Sequence, residues 1–507
     1  MSELQIRQFY ENQRVFITGG TGFIGKVLIE KLLRSTEVAT IYVLIRAKGD
    51  KNSSARLEKI FSCPVNILTL KSNKSYSFQL FDKLLEEHPD YKNRVTAISG
   101  DCAQENLGLT LEDRQELISK ANIVFHVAAT VDFNENIKSA YDVNVKGTKF
   151  LLELCKKFEN LKSVVHTSTA YVYCHLDALD EVIYDHPLHY EQAKSMLERL
   201  SLEEAARQTP SILQNWINTY SYTKAMAESM IKEISDGLPI GIFRPAIVTS
   251  SYKQPIESWV DSFGAFGFTA FFSLGLLRVV LYKEGCNMEL VPVDLVTSAM
   301  IACAWDIPQK DPIPVYNYVS SIDNPTRFLD FLKAIKPQMY RYPLSRAIWM
   351  PTLIWTTSSF WYCLFKILYN RTVAVLCDLY YILTLKKPKA FVKVRYLEKL
   401  FDTFGIYTNK SWKFTNGNVK DLLIRITDED RKMFPFDVRL VKWDTYYSNF
   451  IKGIRIYLLK DPLCTLPEAR IKMKRFQIAH NILLLIFYFI LAILVGIIIA
   501  KMWSLID

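Results

Sequence analysis

No C-x-x-C pair occurs among the nine cysteines of this 507-residue chain, so neither a zinc-ribbon spacing nor a dithiol redox motif is available. Scattered cysteines of this kind read as buried free thiols in a reducing compartment, and no metal site is expected. The opening stretch, MSELQIRQFY, lacks the apolar core that a secretory signal needs, so the folded part is expected to face the cytosol. No basic block interleaved with aromatics is present, and nucleic acid is therefore not an expected partner. The net charge of +10 suits other anions, namely phosphorylated cofactors and acidic membrane surfaces. Neither a Ser-Lys-Leu nor a Lys-Asp-Glu-Leu ending is present. Half of the residues are apolar, which at this length predicts two or three domains, each with a core.

The chain is organised around residues 14–34, RVFITGGTGFIGKVLIEKLLR. Residues 14–18 read as a short buried strand. Gly19, Gly22 and Gly25 follow at intervals of three, and Val27, Leu28, Leu32 and Leu33 then recur at helical spacing. Strand, glycine turn and helix in that order form a dinucleotide site. Glycine allows close backbone approach, and the helix N-terminus offers unpaired N–H groups to a pyrophosphate.

A second buried strand is predicted at 40–45. It ends at Arg46, 21 residues past Gly25, where an acidic residue would hold the 2′-hydroxyl of NAD. Arg46, with Lys48 nearby, attracts a 2′-phosphate instead, so NADPH is the expected cofactor. Residues 48–94 are polar and helical in pattern, with Phe81, Leu84 and Leu85 on one face. A third strand, 95–98, leads to Gly100 and Asp101. Two readings of Asp101 stand: an acceptor for the adenine amino group, or a helix cap. The fourth strand, 123–127, is followed by Ala128 and Ala129, small enough for a cofactor to lie against the backbone. His126 reads as a packed strand residue. A helix is expected over 140–155, carrying Asn144, and a fifth strand over 163–169, ending in hydroxyl residues at the crevice where α/β sheets bind ligands. Tyr220 and Lys224 follow, four apart and so on one helix face. That geometry lets an ammonium lower a phenol's pKa and make it a general acid.

Two uncharged runs of 19 residues point to a membrane. Residues 482–500 would span about 29 Å as a helix, close to the hydrocarbon thickness of a bilayer. Arg470, Lys472, Lys474 and Arg475 precede this run and are expected on the cytosolic side. Residues 347–365 are rich in tryptophan but carry Pro351 and five hydroxyl residues. Membrane association short of a full span is the favoured reading.

Taken together, TGGTGFIGKVLIEKLLR, YVLIRAKG, SGDC (99–102), LGL (107–109), HVAATVDF, NVKGT, HTSTAYVY, NTYSYTKAMAE, IFRPAIV and VPVDLV, spread over residues 12–300, resemble the extended short-chain dehydrogenase/reductases. More narrowly, they resemble the alcohol-forming fatty acyl-CoA reductases of the male-sterility type. DLYYILTLKKPKA and the terminal apolar helix resemble that family's C-terminal part. The resemblance implies a Rossmann-type doubly wound parallel α/β sheet over 1–300 and the remainder of a substrate subdomain over 301–345. An apolar segment at 346–370, a helical domain at 371–465 and a transmembrane helix at 481–501 would follow. It implies roles as well. Tyr220 protonates the reacting carbonyl oxygen, Lys224 lowers the tyrosine pKa and holds the nicotinamide ribose, and Thr169 bonds the substrate oxygen with Ser168 as its neighbour. Asn144 supports a proton relay. Gly19, Thr21, Gly22, Phe23, Ile24, Gly25, Arg46, Lys48, Asp101, Cys102, Ala128 and Ala129 bind the cofactor, and Arg244 with Pro245 closes the pocket. The loop 256–262, IESWVDS, departs from the family's P-G-W-V-D-N.

Thr169 and Tyr220 are separated by 51 residues, and the insertion 174–216 is placed to be a lid over the nicotinamide. The expected activity is NADPH-dependent reduction of long-chain fatty acyl-CoA to the alcohol by two hydride transfers. The expected setting is the endoplasmic reticulum or peroxisome membrane, and homo-oligomers are left open. Two rivals stand: another membrane-anchored extended reductase, acting on a sterol or nucleotide sugar, and a catalytically silent NADP-binding scaffold.

Overall fold

A computed structural model describes residues 4–47, 52–61, 79–264, 267–385 and 387–503. The chain divides into two compact units that interleave in sequence. The first comprises Met1–Ala265, Cys286–Arg327 and Lys410–Tyr446, and the second Phe266–Gly285, Phe328–Asn409 and Tyr447–Asp507. The stretch 371–465, expected as one helical domain, is thus shared between the two.

The first unit is built on a seven-stranded sheet: β1 (Arg14–Thr18), β2 (Thr40–Ile45), β3 (Val95–Ser99), β4 (Ile123–His126), β5 (Ser163–Thr167), β6 (Ile240–Pro245) and β7 (Val315–Tyr318). Its order is β7-β6-β5-β4-β1-β2-β3, and every neighbouring pair is parallel. Parallel strands are covered on both faces, which is why TIYVLI and IVFH are apolar almost throughout. Phe16, Val124, Val164 and Ile242, from four adjacent strands, share one core with Leu151 and Leu152 of the Gly147–Cys155 helix and Ile231 of the Thr219–Ile234 helix. The order reverses between β1 and β4, which opens a crevice beyond the carboxyl ends of these strands.

Several boundaries differ from the sequence expectation. β4 stops at His126 and β5 at Thr167, so Ala128, Ala129, Ser168 and Thr169 all lie past the strand ends. The helix expected over 140–155 starts at Ile137 and contains a π-helical turn, Asp142–Lys146, around Asn144. In the polar stretch 48–94 the described helices are Ser53–Phe61 and Asp82–Glu87. Phe81 and Leu84 are buried there, whereas Leu85 is 50% exposed. Neighbours in a helix point about 100° apart, so only Leu84 shares the inner face. Lys48 lies outside the described residues.

The insertion 174–216 forms two helices, Tyr190–Glu198 and Leu202–Leu213, and a short strand, Ala178–Leu179, that pairs with Lys413–Phe414. Trp216 closes it from inside: its indole donates to the Val172 carbonyl at 2.9 Å, and its ring stacks on His186 with centroids 4.9 Å apart.

The second unit is mostly helical. Phe268, Phe272 and Phe401 meet edge-to-face at its centre. The run 347–365 is not one helix: it holds a strand, Ile354–Thr356, paired with Val279–Leu281, and a helix, Ser359–Phe365. Among the described residues one helix is long and apolar enough to cross a membrane. It belongs to Leu466–Trp503, whose 38 residues make about 57 Å.

Candidate active site

The glycine turn is forced by contact. Gly19 has φ +75°, and a Cβ on it would lie 2.6 Å from the Ala128 nitrogen, so the turn rests against the chain leaving β4. A Cβ on Gly25 would meet the Gly19 carbonyl oxygen at 2.3 Å and the Gly20 Cα at 2.6 Å. The helix Phe23–Ser35 therefore starts close against the turn, with its positive dipole end towards the crevice. Thr21, Gly22, Phe23 and Ile24 remain partly or fully exposed there. The sequence reading missed what packs beside them. Trp259 stacks on Phe23 with centroids 5.7 Å apart, and Asp261 pairs with Lys26. The divergent loop 256–262 is thereby pinned onto the glycine-turn helix. The retained Trp259 and Asp261, on either side of Val260, were the available signal.

Beyond β2, the side chain of Arg46 is 64% exposed and approaches Asp101 at 3.7 Å. Asp101 does not cap the next helix, which Thr110 caps instead; its Oδ1 accepts from the Ala103 N–H at 3.1 Å within a turn. Cys102 is buried against Gly147, and burial pushes its thiol up to about 12.

Tyr220 and Lys224 both lie in the Thr219–Ile234 helix, which Asn218 caps by accepting from the Ser221 N–H at 2.8 Å. The Tyr220 hydroxyl lies by the Thr169 side chain, whose Oγ accepts from the Tyr171 N–H at 3.2 Å, and the Tyr220 ring stacks on Phe133 at 6.1 Å. Burial pushes Tyr220 up to about 12, against the opposing effect of the neighbouring Thr169. The expected lowering by Lys224 does not occur. The Lys224 ammonium is buried and donates to the Thr167 carbonyl at 2.7 Å, and burial pulls it down to about 8. Glu228, one further turn along, supports the charged lysine. Sequence reasoning passed over Glu228, although its i,i+4 spacing from Lys224 was visible. Among the described residues, the buried hydroxyls of Thr167 and Ser168 have no hydrogen-bond partner. Buried hydroxyls are normally bonded, so this strand end suits a polar ligand.

The Asn144 side chain makes its hydrogen bonds to Thr130 and Thr223. Its Nδ2 donates to the Thr223 hydroxyl at 2.9 Å, and its Oδ1 accepts from the Thr130 N–H at 3.0 Å. It ties the segment after β4 to the Tyr220 helix and is a positioning residue. His126 is packed as expected, within hydrogen-bond distance of the hydroxyls of Thr18 (2.7 Å) and Thr148 (3.0 Å). Arg244 is fully enclosed. It pairs with Glu228 and donates to the carbonyls of Asp180 (2.9 Å) and Val182 (2.8 Å). The Arg244 guanidinium fixes the insertion to the sheet, with four of its five N–H groups bonded to Glu228, Asp180 and Val182. Pro245, next to it, is buried at the end of β6.

A male sterility protein family model matches residues 17–300, and a second model of the same description matches 369–461. The fatty acyl-CoA reductase wat of Drosophila melanogaster is 34% identical over 96% of this chain and 92% of its own length. Fatty acyl-CoA reductase 1 of Homo sapiens is 33% identical over 95% and 92%. Among solved structures, the terminal R domain of the myxalamid PKS-NRPS pathway superposes with TM-score 0.59 at 19% identity, covering 88% of this chain and 91% of that one. The reductase domain of a nonribosomal peptide synthetase from Mycobacterium tuberculosis gives 0.56 at 16% identity, covering 88% and 92%. At such identities the likeness concerns the fold.

Proposed function

The chain belongs to the male-sterility-type fatty acyl-CoA reductases, and from that premise we propose that it reduces long-chain fatty acyl-CoA to the fatty alcohol with NADPH. It is a nicotinamide-dependent oxidoreductase acting on fatty acyl-CoA. The single observation that carries the finer reading is the bond from the buried Lys224 to the Thr167 carbonyl, which sets Tyr220, one helical turn away, beside the hydroxyl-rich end of β5.

The cradle fits a dinucleotide, because Gly19 and Gly25 let the turn and the helix start pack without side chains against neighbouring backbone, which leaves Gly22 exposed at the helix N-terminus. Arg46, largely exposed, is the cation for a 2′-phosphate. Bound there, NADPH supplies hydride to the thioester carbonyl and later to the aldehyde. A phenol held near 12 is fully protonated at neutral pH, so Tyr220 can give its proton to the carbonyl oxygen as negative charge develops. Thr169 orients that phenol and shares the oxygen. The cationic Lys224 holds the Thr167 carbonyl and adds positive potential beneath the site. Loss of CoA then gives the aldehyde, which meets the same groups. A sterol or nucleotide-sugar reductase and a silent scaffold are not favoured, since the relatives are reductases of fatty acyl-CoA along nearly the whole chain.

We also infer membrane attachment with the first unit on the cytosolic side. The Leu466–Trp503 helix exposes Leu485, Tyr488 and Phe489 at 61–70%. In the same unit the Thr372–Leu383 and Ala390–Asn409 helices expose Leu379, Leu383 and Val392, and Lys387 and Lys389 lie in the turn between them. Exposed apolar helix faces edged by lysine suit an anionic bilayer surface.

The test is cofactor consumption by membranes carrying the protein, supplied with acyl-CoAs of increasing length and with NADPH or NADH. Lipid products are read by mass spectrometry. Two NADPH per alcohol, with Tyr220→Phe inactive, is the expected result. Aldehyde at one NADPH would assign the second reduction to another enzyme, and no turnover would overturn the proposal.

A further inference from the structure

The second unit contains a cavity of about 540 Å³, within the size range of small-molecule sites. Its walls are mainly hydrocarbon, from Phe271, Leu276, Ile348, Val373, Ala374 and Leu397. One lining residue is out of place there. Arg278 is only 3% exposed, yet its Nε and one terminal nitrogen, Nη2, have no partner. Its other terminal nitrogen, Nη1, donates to the Tyr369 carbonyl at 2.6 Å, which fixes the plane of the guanidinium. No carboxylate pairs with it among the described residues. The buried acid Glu398 is committed instead to Asn370 and Arg371, each at 3.1 Å. Two exposed lysines, Lys389 and Lys393, also line the cavity.

A buried cation with unmet donors is costly, and structures keep one where an anion completes it. The free pair, Nε–H and Nη2–H, forms one edge of the planar fork. That edge matches the two oxygens of a carboxylate in parallel. A phosphate monoester brings a third oxygen and more charge than two donors satisfy.

We propose that this cavity binds a free long-chain fatty acid, with its carboxylate on the Nε/Nη2 edge of Arg278 and its alkyl chain along the apolar wall. None of the lining residues belongs to the unit that carries Tyr220. The fatty carboxylate resembles the acyl part of the substrate with the thioester replaced, so the second unit carries a sensor for the unactivated acid. That last meaning rests on the reductase reading; the binding itself does not.

The experiment uses the full chain in phosphatidylcholine nanodiscs, titrated with palmitate labelled with ¹³C at the carboxyl, with empty nanodiscs as background. A saturable, shifted carboxyl resonance at one per chain is expected, and methyl palmitate should not displace it. Arg278→Met should weaken binding by about tenfold or more, since it removes both charge and fork, and Arg278→Lys should recover only part of it. Ala374→Phe, which fills the cavity and leaves the arginine in place, should abolish the signal while circular dichroism shows an unchanged fold. Purely non-saturable partitioning overturns the proposal, as does displacement by the methyl ester or wild-type binding by both Arg278→Met and Ala374→Phe. Release of palmitate by phosphatidic acid at bilayer abundance would assign the arginine to a lipid phosphate and also overturn it.

Discussion

The ammonium of Lys224 donates to the carbonyl of Thr167 at 2.7 Å, which pins the helix carrying Tyr220 to the last residue of β5. Tyr220, one turn before Lys224, lies by Thr169 just beyond that strand. The cation is thus registered against the sheet with the acid beside it, and the titration of either group reports on the site.

Alkaline inactivation should belong to Lys224. Burial pulls its ammonium down to about 8, whereas Tyr220 stands near 12. The charged lysine, present below 8, is lost as pH rises through that value while the phenol keeps its proton. The kcat profile should therefore fall above about pH 8. Lys224→Met should be slow and flat across the same range, and a wild-type limb displaced to pH 10 or beyond would refute the assignment.

Glu228 couples this titration to the core. Its carboxylate raises the Lys224 pKa and also forms the buried pair with Arg244. Glu228→Gln should move the alkaline limb below pH 8. It should also cost about 3 kcal/mol in urea unfolding, because Arg244 keeps its charge in a buried place. Both effects are expected in one variant, and a lower stability with an unmoved limb would separate Glu228 from the active site.

How much of this was legible beforehand follows from the range of the forces. The glycine turn, the parallel strands and the Tyr220–Lys224 face were visible because each is a local pattern of period or spacing. The fate of Arg244 was not, because Asp180 and Val182 of the insertion and Glu228 of the Tyr220 helix meet it only in the folded chain. The same holds for Lys224, whose four-residue spacing from Tyr220 suggested an ion acting on a phenol. Spacing does not reveal that the Thr167 carbonyl is the partner the ammonium reaches. The return of residues 410–446 to the first unit was equally hidden, since it depends on pairings such as Asn418 with Glu181, 237 positions apart.

Gly25 gives a steric prediction. The atoms that a Cβ would strike, the Gly19 carbonyl oxygen and the Gly20 Cα, are backbone and cannot rotate away. Gly25→Ala should open the turn, destabilise the chain by about 1–3 kcal/mol, and weaken dinucleotide binding more than tenfold. Calorimetric titration with NADPH alone measures the second effect without turnover. Wild-type affinity would mean that the pyrophosphate does not rest on this turn.

Acid lability should come from His126. Burial pulls it down to about 3, and Lys224 adds repulsion in the same direction. The unfolded chain binds a proton near the ordinary histidine value of 6.5, so the neutral ring contributes stability that is complete above 6.5. That stability is lost progressively as pH falls towards 3, by about 3 kcal/mol at pH 4. His186, pulled down to about 4 by burial, acts in the same direction. His126→Gln removes the titrating ring and leaves a polar group between Thr18 and Thr148. Its stability at pH 7 should be lower than that of the wild type, and its loss between pH 6.5 and 4 smaller. Equal slopes for the two proteins in urea unfolding over that range would show that His126 is not the group whose protonation opens the sheet.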